Sequence, residues 1–175
     1  MKNSTIPQRS DVASGDQWNL SSLFKNDEEW EQSLRSIAAA KEAILAYKND
    51  FTNPETVTAE TLIGCLQAVE NAERIAETTG NYAFLMKSAD ESDSKNIERF
   101  SRFMMAATEL SAETSWFIPA LLAIPEPVIR AWIDPANETG AAFAPYKVFI
   151  EKQIRLKAHT LSDGEERLLS LLIES

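Results

Sequence analysis

The chain has one cysteine, one histidine and five glycines among 175 residues, and each scarcity closes off some chemistry. A single thiol, Cys65, forms no internal disulfide, so a disulfide-stapled fold is excluded. Lying beside Leu62, Ile63 and Leu66, it reads as a buried apolar thiol and not a reactive one. One histidine, His159, cannot build a two-histidine zinc site, nor the paired Glu-x-x-His elements that hold two metals in a helix bundle. It falls just past a basic helix end and reads as a local hydrogen-bonding residue. No serine sits in a nucleophile elbow, no C-x-x-C occurs and no glycine-rich loop follows a strand. No catalytic, cofactor-binding or metal-ligating residue is therefore expected in this chain, and a self-contained enzyme is not expected.

Positive charge is also short. With 27 acidic against 17 basic residues the formal charge is −10, which opposes attraction to phosphate backbones and anionic membranes. Neither nucleic acid nor a membrane is expected as a partner. Met1 to Thr5 lead into no apolar run, and the longest apolar stretch, Trp116 to Pro125, is too short and too proline-broken to cross a bilayer. A cytoplasmic location is expected. A composition of 44% hydrophobic and 25% charged residues suits a chain with one real core, not a disordered tail.

What the chain does hold is helical periodicity. From Thr58 to Ile124 it reads as two amphipathic segments with a polar join. Leu62, Leu66, Val69, Ala72, Ala76, Ala83 and Met86 recur at three-and-four spacing down the first, which Thr58 can cap. The second carries Phe100, Phe103, Met104, Ala107, Leu110, Phe117 and Leu121, with Glu98, Arg102, Glu109 and Glu113 turned mostly away. The join, Asp90-Glu91-Ser92-Asp93-Ser94, contains neither glycine nor proline, so one continuous helix is the alternative. Size decides between them: a compact domain of this length is about 40 Å across, whereas an unbroken helix would run about 100 Å. The expected fold is all-α, an elongated antiparallel helical bundle of about six helices built around a long helix hairpin.

Around that hairpin the chain divides into an extended N-terminal arm, residues 1–25, and a helical domain, residues 26–175. Trp18, Leu20, Leu23 and Phe24 end the arm and are expected to pin it by aromatic burial. Asn26 caps the next helix, with Glu29 at the reciprocal capping-box position and Trp30, Leu34, Ile37, Ile44 and Leu45 on its apolar face. Asn53-Pro54 marks a turn. Gly64 and Gly80, inside the first hairpin arm, imply a close helix crossing. Pro119 predicts a kink or break near Trp116, and a short helix is expected over Val128 to Ile133. Pro145 starts another helix whose last turns carry Lys152, Arg155 and Lys157, a match to the helix dipole. Ser162 and Glu165 form a second capping box, and the apolar face that follows runs up to the last residues, so Ser175 is not expected to be a natural end.

Several stretches, taken in order, resemble the N-terminal region of oligoendopeptidase F, in the thimet-oligopeptidase-like group of zinc metallopeptidases. Trp18, Leu20, Leu23 and Phe24 match W-x-L-x-x-L-F, with Asp27-Glu28-Glu29-Trp30 downstream. Tyr82-Ala83-Phe84 comes next, with Asp90 at the hairpin tip. Trp116 to Pro125 is similar to F-F-x-x-E-L-x-x-I-P, with Ala120 where an acidic residue is usual. The most specific stretch is Tyr146-x-x-Phe149-Ile150-Glu151 continuing through Arg155-x-Lys157-Ala158-His159-Thr160-Leu161-Ser162 to Leu169.

The resemblance implies a parent enzyme about three times longer, whose later H-E-x-x-H helix and further glutamate hold one zinc ion. None of those ligands is in this chain. It further implies that these helices wall a deep channel that admits short peptides and not folded proteins, with the C-terminal catalytic domain of the same polypeptide as partner. Alone, the chain is expected to be inactive and to self-associate through exposed apolar surface. A freestanding helical adaptor that binds a protein partner is the alternative.

Overall fold

The computed structural model describes residues 11–157, and His159, Ser162 and Glu165 lie outside them. Among the described residues every regular element is a helix. These are α1 (Asp27–Leu45), α2 (Ala59–Ala89), α3 (Ser94–Thr114), α4 (Phe117–Ala123), α5 (Glu126–Trp132), α6 (Gly140–Phe143) and α7 (Lys147–Lys157), with 3-10 turns at Ser14–Asp16, Leu20–Ser22 and Lys48–Phe51. Six of the seven exceed a single turn, so the expected all-α fold of about six helices holds.

Local chemistry sets the ends. Asn26 Oδ1 accepts from Glu29 N–H at 2.9 Å, while the Glu29 carboxylate accepts from Lys25 N–H, one residue ahead of the expected capping-box partner. Thr58 Oγ1 accepts from Thr61 N–H, and Asn53 closes its turn through Thr56 N–H. Asp93 caps α3. The polar join separates two helices, and the second stops at Thr114, with Pro119 two residues into α4, so the expected break near Trp116 is present.

The chain divides into two compact units, Met1–Tyr47 with Gln67–Ser115, and Lys48–Leu66 with Trp116–Ser175. In the first, Trp30, Tyr82 and Ala83 form a buried cluster, against which Leu20, Leu23, Phe24, Leu34, Met86, Phe100 and Phe103 pack. Phe24 meets Tyr82 edge-on at 5.3 Å. Trp18 departs from expectation: it is 56% exposed, because Leu20, Leu23 and Phe24 already fill the space against the cluster. Gly80 faces Phe103 and Phe84 lies beside Phe100, so partner numbers fall as residue numbers rise and α2 and α3 run antiparallel. A Cβ on Gly80 would come within 2.3 Å of the Phe103 ring, which is the close crossing expected of that glycine.

In the second unit, Phe51, Trp116 and Phe117 make mutual edge contacts, α4 packs on α7, and Trp132 stacks on Phe143. Leu62, Cys65, Leu121, Ile124, Ile129 and Ile150 complete its core. Burial alone pushes the Cys65 thiol up to about 12, the condition of an inert cysteine. Lys157 donates through Nζ to Leu122 O at 2.6 Å. That charge therefore serves the carbonyl end of α4, besides the end of its own helix.

Candidate functional site

Two features of the first unit qualify as candidate sites, and both involve α3. The buried residues of α3 are Asn96 and Arg99, a polar interior that a hydrophobic pattern does not disclose. Arg99 donates to Asn96 Oδ1 at 2.7 Å and to Asp27 Oδ1 at 2.6 Å. Its guanidinium also lies over the rings of Trp30 and Tyr82, where a cation gains from the ring quadrupole. Three residues on, Arg102 grips Glu31 with both terminal nitrogens. That hydrogen bond is the main reason the Glu31 carboxyl titrates below its ordinary range, and it raises Arg102 in turn. Further along, Lys41 donates to Glu109 at 2.6 Å, which raises the lysine.

The pairs Asp27–Arg99, Glu31–Arg102 and Lys41–Glu109 rise in number together, so α1 and α3 run parallel. On the inner side of α1, Trp30 Nε1 donates to Thr79 O at 3.0 Å. Thr79 spends its own proton on Ile75 O, so it accepts from Ser33 at 2.7 Å. Residues from three helices thus hold one another in register at Trp30.

A cleft of about 220 Å³ opens over this brace, lined by Asp27, Trp30, Glu31, Lys95, Glu98, Arg99 and Arg102. It is smaller than pockets that enclose drug-sized ligands, which start near 300 Å³. Its three acids and three bases cancel, and Arg99 and Arg102 are committed to carboxylates. The arrangement holds helices together through these pairs. Among the described residues no three His, Cys, Asp or Glu come together as metal ligands.

The second feature is the outer side of α3. Met104, expected on the buried stripe, is 45% exposed, and Met105 beside it is 73% exposed. The inward positions go to Asn96, Arg99 and Phe103 because α1 approaches α3 through charge pairs, and this rotates the methionines out. The sequence does carry one sign of it, the three-residue spacing of Asn96 and Arg99 on a helix.

Likeness to known proteins is specific. The family model described as Oligopeptidase F matches residues 121–175. An oligoendopeptidase F homolog from Borreliella burgdorferi is 31% identical over 163 residues, covering 93% of this chain and 26% of the relative. Oligopeptidase PepF of Bacillus subtilis is 23% identical over 172 residues, 97% of this chain and 24% of the relative. The crystal structure of a proposed peptidase from Chlamydophila abortus shares the fold, with a TM-score of 0.75 at 24% identity, over 96% of this chain and 27% of that one. Helical in every regular element of its described residues, the chain is thus like the N-terminal region of these relatives. It belongs to the oligoendopeptidase F family and spans about a quarter of the length of the curated relatives it matches.

Proposed function

We propose that this chain is the channel wall of a zinc-dependent oligoendopeptidase, the part that admits short unstructured peptides and keeps folded proteins out. One observation carries the reading: likeness to peptidases runs over 93% of this chain while taking in 26% of the relative. The zinc, the general base and the hydrolytic step would belong to a C-terminal catalytic domain of the same polypeptide. Residues 1–25 would be an arm ahead of a helical domain over 26–175, working in the cytoplasm. No helix among the described residues is long and apolar enough to cross a membrane. The chain's own contribution is mechanical, because a wall must keep its shape while peptides pass. The brace of α1 on α3 supplies that stiffness through interlocked charge pairs and the Trp30 anchor.

A second reading, a freestanding helical adaptor, is favoured by the exposure of Met104 and Met105, since such surface commonly marks a protein contact. The product isolated from source cells separates the two. A polypeptide far longer than this chain, cleaving short peptides and silenced by a zinc chelator, is the expected result. A native product that holds no zinc and cleaves no peptide overturns the peptidase reading and leaves the adaptor.

A further inference from the structure

The outer face of α3 has a pattern that the wall role by itself does not require. Helical spacing puts Ile97, Ser101, Met104, Met105, Thr108 and Ala112 on one outward stripe, and a shallow groove runs along Met104, Met105, Thr108 and Ala112. Exposed Phe84 of α2 lies beside Phe100, ring centroids 6.3 Å apart, and extends the apolar surface toward the turn at residues 90–93.

Both edges of this surface are acidic. On α3, exposed Glu98 and Glu113 follow one side of the stripe, with Glu109 between them paired to Lys41; on α2, exposed Glu73 and Glu77 share the helical row that carries Phe84. Of the basic groups nearby, Arg102 is paired with Glu31, Lys41 with Glu109, and Lys87 lies over the Phe100 ring at 4.8 Å, while Arg74, beside Glu73 and Glu77, bonds Asn71. The described residues of this unit, 11–47 and 67–115, carry 16 Asp and Glu against 8 Lys and Arg, a net of −8. An apolar groove between anionic rims complements one ligand class, a chain that presents apolar side chains with basic ones beside them. A permanent cover by the remaining polypeptide would bring those carboxylates into a contact whose centre disfavours charge. Rims that stay in water suit an occupant that comes and goes, and unbranched methionines adapt to varied apolar side chains.

We infer that the outer stripe of α3 is a docking groove for short peptides that place lysine or arginine next to apolar residues. The inference rests on the channel-wall reading and names the substrate class that the wall favours. Apolar contact on Met104 and Met105 holds the peptide, and the acidic rims draw basic peptides in.

The test is fluorescence anisotropy of three labelled peptides on the 175-residue chain, alternating Lys/Leu, alternating Glu/Leu and Gly/Ser, at low and high ionic strength. The Lys/Leu peptide is expected to bind about tenfold more tightly than Glu/Leu, an advantage that high salt removes. The M104S/M105S variant should weaken binding of both Leu-containing peptides, and E73Q/E77Q/E98Q/E113Q should remove the charge preference alone. These side chains are exposed, so unchanged far-UV circular dichroism is expected and confirms folding. Equal binding of the three peptides, or a charge preference that survives E73Q/E77Q/E98Q/E113Q, overturns the inference. So does a chain that dimerises in sedimentation and is made monomeric by M104S/M105S, because the stripe is then a self-contact. Loss of preference with peptidase activity intact in the source-cell product sinks the inference alone. A preference retained by a product without peptidase activity sinks the channel-wall reading alone.

Discussion

Arg99 and Asp27 lie 72 residues apart in sequence, yet Nη2 of the one donates to Oδ1 of the other at 2.6 Å, while Nη1 donates to Asn96. One guanidinium therefore ties the first turn of α1 to the inner face of α3. Arg99→Met is expected to destabilise the chain by about 2 kcal/mol, the loss of charge-assisted hydrogen bonds and less than a fully buried broken pair costs. The value is low because the Asp27 side chain is 69% exposed and regains water. Arg99→Lys should recover only part, since a single ammonium lacks the planar fork that meets Asn96 and Asp27 together. Urea midpoints at unchanged m-value read both effects.

Two glycines should respond differently to the same substitution. A Cβ at Gly80 would meet the far end of the Phe103 ring at 2.3 Å, whereas a Cβ at Gly140 would meet the backbone oxygen of Asp134 at 2.2 Å. A ring can tilt and a backbone cannot. Gly80→Ala also gains about 1 kcal/mol of helix propensity, so its net cost is expected near 1 kcal/mol and is relieved by Phe103→Leu. Gly140→Ala should cost about 3 kcal/mol with no single compensating change. Thermal melts of G80A, G140A and G80A/F103L test the ordering.

The hydrogen bond from Arg102 holds the Glu31 carboxyl below its ordinary value of 4.5. A lowered folded value contributes stability above the unfolded pKa, and that contribution is lost as pH falls through the folded one. Carboxyl-carbon chemical shifts should place the Glu31 titration below 4.5 in the native chain and move it upward in Arg102→Gln. Added salt should move it the same way, since the pair is partly exposed and screened.

Cys65 is fully buried, and its thiol is pushed up to about 12. At pH 8 about one molecule in ten thousand would hold the thiolate, so iodoacetamide should label it only as fast as the chain opens. Destabilising substitutions in its own unit, such as Gly140→Ala, should speed labelling. Between an unfolded value of 9.0 and a folded value of about 12, the unfolded chain sheds the proton first, so stability falls as pH rises across that window. Alkylation followed by mass spectrometry at a series of pH values reads both effects.

Much of the scaffold is legible from local rules. The caps at Asn26 and Thr58, the turn at Asn53 and the break ahead of Pro119 depend on neighbours a few residues away, and each appears where the spacing places it. What is not legible depends on partners far along the chain. Beyond its three-residue spacing from Asn96, little local says that Arg99 turns inward, because its main reasons are Asp27, Trp30 and Tyr82. The exposure of Met104 and Met105 follows from that inward turn, and so the docking groove is hidden for the same reason. Trp18 shows the converse, an aromatic side chain that local reading buries and that the packing of Leu20, Leu23 and Phe24 leaves outside.

The parallel brace also orders events during synthesis. Asp27, Glu31 and Lys41 find their partners 72, 71 and 68 residues later, so at about 5–20 residues per second α1 leaves the ribosome several seconds before α3 exists. In that interval Trp30 can already meet Thr79 and Tyr82 as α2 is made, because their apolar and hydrogen-bonding surfaces come first. The charged helix arrives last and locks a pair that has begun to form, so the newborn chain settles by apolar contact and takes its final alignment from salt-sensitive bonds.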